Sequence, residues 1–218
     1  LYVHQQGTAE DVCDTPWYGW MTKCGCALPP ERERMFARLM VREIASGNDT
    51  REGLRQACQA AGMTEDEEKM VFHGWGGVIG ELALLGVICF QVQEKKAYRL
   101  CAPFAPMNAA EAELTLARRY FTHYGPASLR DAAYFFRVPQ TKVKMWLKQL
   151  DAREISVDGR MYYATKDAPE GEMPHVRLLS GFDPMLLGYR KEDNPILPPE
   201  HLRGVFNLTG IVHPTVLA

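Results

Sequence analysis

The sequence has no surplus of either charge. Its 218 residues hold 25 Lys and Arg against 27 Asp and Glu, a formal net charge of −2. No chain-wide field therefore draws a polyanion, and any nucleic-acid site has to be a local basic patch. Long apolar runs are also missing. The nearest, residues 75–90, is shorter than the roughly 20 residues a spanning helix needs, and it contains Glu81 and Gly86. It predicts a buried helix followed by a buried strand, and no membrane partner. Metal spacing is lacking too. Cys13, Cys24 and Cys26 stand near His4, but Cys-Gly-Cys falls short of the gap in zinc knuckles and no second pair follows. No metal and no cofactor are expected. No secretion signal opens the chain, so the six cysteines are expected to stay reduced, in a cytoplasmic protein. Cys58 and Cys89 sit in apolar patterns and read as core. Residue 1 is Leu, and the sequence stops in the apolar run Thr215–Ala218. The expectation is a trimmed fragment with material missing on both sides.

What is present is ordinary globular composition, 46% hydrophobic and 24% charged, which excludes collagen, fibrous coiled coil and wholesale disorder. Its main feature is one order of elements used twice. In the clearer copy, residues 108–168, Asn108 with Glu111 opens a helix carrying Leu114, Ala117, Phe121 and Tyr124, closed by Gly125-Pro126. Ser128 with Asp131 opens a second, with Leu129, Ala132, Ala133 and Phe136 inward. Pro139 suits the first turn of a third, in which Val143, Trp146, Leu147 and Leu150 lie at i, i+3, i+4 and i+7. Asp158-Gly159 between two short alternating runs predicts a hairpin. Three helices and a hairpin spell a winged helix, with the second and third helices as its helix-turn-helix.

The other copy spans residues 31–104. Phe36, Leu39, Met40 and Ile44 mark its first helix, and Leu54, Ala57, Cys58 and Ala61 the inner face of its second. A third helix is capped by Thr64 and runs through Met70, Val78, Leu82 and Leu85 to Gly86. Val87–Phe90 and Tyr98–Leu100 form its hairpin, and Pro103 and Pro106 lie in the linker that follows. Residues 1–30 remain unassigned beyond a strand followed by a packed loop or helix. Residues 174–218 read as the start of a β-containing C-terminal module. The fold class is mainly α with small β-hairpins (α+β), as tandem winged-helix modules followed by that β-rich start.

A helix-turn-helix offers the outer face of its second helix to the major groove. From Arg137 to Leu150 the bases are Arg137, Lys142, Lys144 and Lys148, with no acidic residue. With Trp146 inward, Gln140, Thr141, Lys144 and Lys148 fall outside, and Arg153 and Arg160 extend the patch to the wing. Double-stranded DNA is the expected partner, with a nucleoid-associated location. A solvated lysine face is the plain alternative. The third helix of the earlier copy opens with Glu65, Asp66, Glu67 and Glu68, which suit a helix N-terminus and repel phosphate. That copy reads as structural, although Lys95, Lys96 and Arg99 on its wing are basic.

Leu116-Ala117-Arg118-Arg119-Tyr120 and Tyr124-Gly125-Pro126-Ala127 resemble the third winged helix of the AlkZ/YcaQ-like DNA glycosylases. Val176 to Arg190, with Gly181-Phe182-Asp183-Pro184 at its centre, resembles the opening of that family's C-terminal β-domain, and Leu197–His201 and Pro214–Leu217 fit the same template. The resemblance implies winged helices and a β-barrel around DNA. It implies hydrolysis of the N-glycosidic bond of alkylated or crosslinked bases without a metal, by a Gln-hydrophobic-Gln or Gln-hydrophobic-Asp motif in the first winged helix. A polar side chain there holds water against the sugar carbon. That first winged helix is not in this sequence. Gln91-Val92-Gln93 matches the letters but falls on a hairpin, which argues for coincidence. The catalytic residues are thus unassigned: the protein is a shortened relative without activity, or its catalytic segment lies upstream. Arg177, Asp183, Tyr189 and Arg190 are candidates to line a DNA cleft, although an Asp before Pro more often caps a turn. A non-enzymatic DNA-binding regulator and a protein-interaction module are the other readings.

Overall fold

The structure, a computed structural model, describes residues 6–74, 76–91, 96–167, 171 and 175–218. Of the residues singled out above, His4, Val92, Gln93 and Lys95 lie outside that set, as does the first residue of the run 75–90. The chain divides after Asn108 into two compact units. Among the described residues the architecture is mainly α with three small antiparallel two-stranded sheets.

The first unit begins with a 3-10 turn at Asp11–Asp14 and α1 at Pro16–Lys23, capped by the Thr15 hydroxyl. The strand expected within residues 1–30 is not found among the described residues. Thr15 followed by Pro16 favours a helix start there. Next come α2 (Pro30–Ala45), α3 (Arg51–Ala60), α4 (Glu65–Val71), α5 (Gly77–Leu84), β1 (Ile88–Gln91) and β2 (Ala97–Leu100). Phe36 and Met40 of α2, Leu54 and Cys58 of α3, Leu82 of α5 and Tyr98 of β2 pack into one core with Val12 and Leu28. Ala61, expected inward, is exposed, because α3 has already ended at Ala60.

The third helix of this unit is two helices, which corrects the continuous one expected from Thr64 to Gly86. Its capping box, Thr64 with Glu67, forms as expected. The break comes from glycine. Gly76 and Gly77 both have positive φ, and a Cβ on Gly77 would lie 2.3 Å from the Val71 carbonyl oxygen. Only glycine lets the chain fold back that closely on the end of α4. The buried helix and strand expected over 75–90 are α5 and β1.

The second unit opens with α6 (Ala109–His123), α7 (Leu129–Phe136), α8 (Gln140–Leu150), β3 (Arg153–Val157) and β4 (Arg160–Ala164). Ser128 and Asp131 form the reciprocal cap of α7. Pro139 stands one position earlier than expected, at the N-cap of α8 rather than inside its first turn. Asp158 and Gly159 take φ of 49° and 73°, the pair of left-handed residues that a tight hairpin turn requires. Ala117, Phe121, Val143, Trp146, Leu147 and Leu150 share the core.

Both units repeat one further detail. The segment entering the second helix bridges to the hairpin's second strand: Thr50 pairs with Ala97, and Ala127 pairs with Tyr163. The hairpin is thereby fixed beside the helices in each case. After β4 the chain forms β5 (Arg177–Leu179), α9 (Pro184–Leu187), α10 (Leu202–Val205) and β6 (Thr215–Leu217), with β5 and β6 antiparallel over a small core of Leu179, Leu186, Leu197 and Val212.

Candidate nucleic-acid interface

α8 is oriented by its apolar stripe. Trp146 is 6% exposed and meets Phe136 of α7 edge to face at 5.2 Å. That contact turns Gln140, Thr141, Lys144, Met145 and Lys148 to solvent. Arg137 ends α7 with φ of 53° and its side chain exposed, immediately before α8.

Lys142 does not share that face. Its ammonium bonds Glu113 of α6 at 2.6 Å and lies 5.8 Å from the centre of the Trp146 ring. One residue's rotation along α8 carries it from the outer surface to the α6 side. Lys142 is thus committed within the fold, whereas Lys144 and Lys148 line an open groove of about 500 Å3 together with Asp151, Glu154 and Tyr163. Asp151 is itself engaged by Lys166.

At the start of α8, Gln140 and Arg160 line a second groove of about 380 Å3, with Arg130, Tyr162 and Asp193. Arg153 is exposed at the start of β3. The two grooves flank the region between α8 and the β3–β4 hairpin. Val157 and Met161, both exposed, sit toward the hairpin tip. Outward lysines on a helix, apolar and basic residues on an adjacent hairpin, and grooves between them can together follow a phosphate backbone.

The residues suggested for a cleft separate. Arg177, Asp183 and Tyr189 come together in a shallow depression of about 880 Å3 with His123 and Tyr124. Asp183 caps α9, accepting the Met185 amide at 2.9 Å, and Ser180 also bonds it. Tyr189 donates its hydroxyl to the Tyr124 carbonyl at 2.7 Å, and burial pushes its phenol up to about 12. Arg190 is not among the residues lining that depression. Its guanidinium reaches Glu192 and Asp193, and its amide donates to Asp131 at 3.1 Å. Two of the four therefore hold turns and one is neutralised locally.

Sequence reasoning overlooked Met145 and His123. Met145 was legible, since the spacing that buries Trp146 and Val143 leaves 145 outside. His123 carried no signal, because its setting depends on β5 and α9, far along the chain.

The acidic start of α4 is largely spoken for. Glu67 takes both Arg32 nitrogens at 2.6 and 2.7 Å, which lowers its carboxyl to about 2. Glu68 pairs with Arg55, and Asp66 with Lys69. Of the catalytic-looking triplet only Gln91 is described, and its amide donates to the Tyr98 carbonyl at 3.2 Å. Among the described residues no group of His, Cys, Asp and Glu has the arrangement to hold a metal, and no helix is long and apolar enough to cross a membrane.

Comparison with known proteins decides the family. The model of the family described as "DNA glycosylase AlkZ-like" matches residues 15–218. The chain belongs to the AlkZ-like DNA glycosylase family. A curated relative, the interstrand DNA cross-link repair glycosylase of Streptomyces sahachiroi, is 29% identical over 168 residues, covering 69% of this chain and 45% of the relative. The solved structure of Streptomyces sahachiroi DNA glycosylase AlkZ superimposes with a TM-score of 0.61 at 24% identity, over 96% of this chain and 60% of that one. At that identity the likeness is one of fold. The AlkZ-like resemblance drawn from Leu116–Ala127 and Val176–Arg190 is thus upheld, and the chain spans about half the length of the relatives it matches.

Proposed function

We propose that this AlkZ-like chain is the duplex-holding part of a DNA repair glycosylase, and that it grips DNA through α8 and the β3–β4 hairpin. Residues 31–104 and 108–168 are winged-helix modules in this reading, the second one facing DNA, and 174–218 opens a β-containing module. The observation that carries it is the pairing on α8 of a buried Trp146 with exposed Lys144 and Lys148. Gln140, Thr141, Arg137, Arg153 and Arg160 surround that strip and supply phosphate and base-edge contacts. Lys142 is left out, since Glu113 already satisfies it. Arg177 and Tyr189 belong to a separate depression that a bent duplex would meet second. The protein works beside the nucleoid in the cytoplasm.

Excision of an alkylated or crosslinked base is the reaction assigned to the whole protein. No residue described here is given the catalytic role. The pairing of the acidic α4 residues with Arg32, Arg55 and Lys69 removes the main argument for an interaction module that avoids DNA.

The test is duplex binding measured over a series of salt concentrations. Lys144→Glu with Lys148→Glu should weaken binding and flatten its salt dependence. Unchanged binding sinks the assignment of α8. Release of N7-alkylguanine from duplex by the full-length protein supports the repair reading. Sequence-preferring binding without base release moves the protein to the regulators.

A further inference from the structure

Six thiols are free in this protein, and two of them lie on one strand pair. Cys89 lies on β1 opposite Arg99 of β2, and the pairing continues one step to Val87, whose carbonyl accepts the Cys101 amide at 2.9 Å. Alternation along a strand puts positions 99 and 101 on the same side, so Cys89 and Cys101 are diagonal neighbours across the hairpin. Each is thus the nearest thiol to the other across the strand pair. Arg99 Nε donates to Cys89 Sγ at 3.2 Å. Both cysteines are half-buried, so small solutes reach them. This corrects the expectation that Cys89 is a core residue: it points to the Arg99 side of the sheet, while Ile88 fills the core.

Two neighbouring thiols with a guanidinium on one of them have the parts of a peroxide-reactive dithiol. We propose that Cys89 and Cys101 form such a site in the first unit, with Cys89 oxidised first and Cys101 resolving it into an intrachain disulfide. In the first step the Cys89 thiolate attacks one oxygen of hydrogen peroxide. An S–O bond forms, the O–O bond breaks, and hydroxide leaves; the sulfur gives up two electrons and becomes a sulfenic acid. In the second, the Cys101 sulfur attacks the Cys89 sulfur. The S–S bond forms, the S–O bond breaks, and hydroxide departs with the Cys101 proton as water. The sum is two thiols and one peroxide giving one disulfide and two waters.

The geometry also divides the roles. Arg99 places a donor and positive charge 3.2 Å from the Cys89 sulfur, which assigns the first attack to Cys89. Burial pushes the Cys101 thiol up, and the Cys89 contact adds to this, so Cys101 is the slower nucleophile. Cys24 and Cys26 are more exposed, but among the described residues no guanidinium bonds either sulfur, and Cys26 Sγ meets the Cys24 carbonyl at 3.4 Å. Oxidation would fasten the open end of the β1–β2 hairpin. Thiols would release it, because diagonal pairs stand wider than relaxed disulfides and must be drawn together.

The experiment uses the reduced full chain with stoichiometric hydrogen peroxide, thiol blocking, digestion without reductant and mass mapping. A Cys89–Cys101 linked peptide pair, short by two hydrogens and split again by dithiothreitol, is the expected result. In Cys101→Ser, dimedone should label Cys89. In Cys89→Ser, it should leave Cys101 unlabelled. Arg99→Ala should slow oxidation about tenfold, with circular dichroism confirming an intact fold. Recovery of both cysteines blocked after peroxide overturns the proposal. So does a linkage confined to Cys24 and Cys26, or labelling of Cys101 in Cys89→Ser at the wild-type rate of Cys89.

Discussion

Glu33 of α2 and Glu81 of α5 meet inside the first unit, 4% and 2% exposed. They hydrogen-bond each other, and burial raises both carboxyls, Glu81 further because the Glu33 charge opposes its own. The pair holds a proton at neutral pH. Cys13 and Tyr18 also sense these carboxyls, and Arg34 is the basic group acting on Cys13.

Stability should therefore fall as pH rises. Below the ordinary carboxylate value of 4.5 both states carry the protons, so the pair gives no slope. Above it the unfolded chain ionises while the folded one keeps its proton, and each step up in pH favours unfolding until Glu81 itself titrates. Melting temperature should decline from about pH 5 to about pH 9, and Glu81→Gln should remove most of that decline. A flat wild-type profile counts against the shared proton.

The lysines of α8 should separate by salt dependence. On the proposed interface, replacing both Lys144 and Lys148 with Ala should remove two phosphate contacts and reduce the slope of log K against log salt by roughly 1.8. Lys142→Ala should leave the slope unchanged. Its cost is stability, below about 1 kcal/mol, since the Lys142–Glu113 pair is about two-fifths exposed. A slope lowered by about 0.9 in Lys142→Ala would show that Lys142 releases Glu113 on binding DNA.

Asp131 serves two segments at once. Its carboxylate accepts the Ser128 amide at 3.0 Å and the Arg190 amide at 3.1 Å, at 1% exposure. Asp131→Ala should destabilise the second unit by about 2–4 kcal/mol, through the lost cap and an orphaned buried donor. Chemical denaturation measures it, and a loss of only a few tenths would mean that water replaces the carboxylate.

Gly159 completes the turn at the tip of the β3–β4 hairpin with φ of 73°. A β-branched residue is strained there. Gly159→Val should cost about 1–2 kcal/mol and weaken duplex binding with it, read by thermal melts and anisotropy. Loss of stability with full binding would remove the hairpin from the interface.

The second unit was the more legible because its signals are local. Ser128 with Asp131, the Trp146 stripe and Asp158-Gly159 are each decided within a few residues, and all stand in the structure as read. The errors were non-local. The gap between α4 and α5 is dictated by how closely Gly77 approaches Val71, a contact that periodicity does not register. Cys89 looked like core because its neighbours are apolar, and only the register with Arg99 shows its side of the sheet. Lys142 looked equivalent to Lys144 until Glu113 appeared beside it. Charge counts along one helix say nothing of the partner on another.

Arg137 keeps a backbone geometry that glycine would adopt without strain, at a cost of about 1–2 kcal/mol. A glycine at that corner would make a sturdier protein with one cation fewer at the threshold of α8. If the proposed function holds, the corner trades durability for a grip on the polymer, and the same exchange makes Arg137→Gly a variant expected to melt later and hold DNA less well.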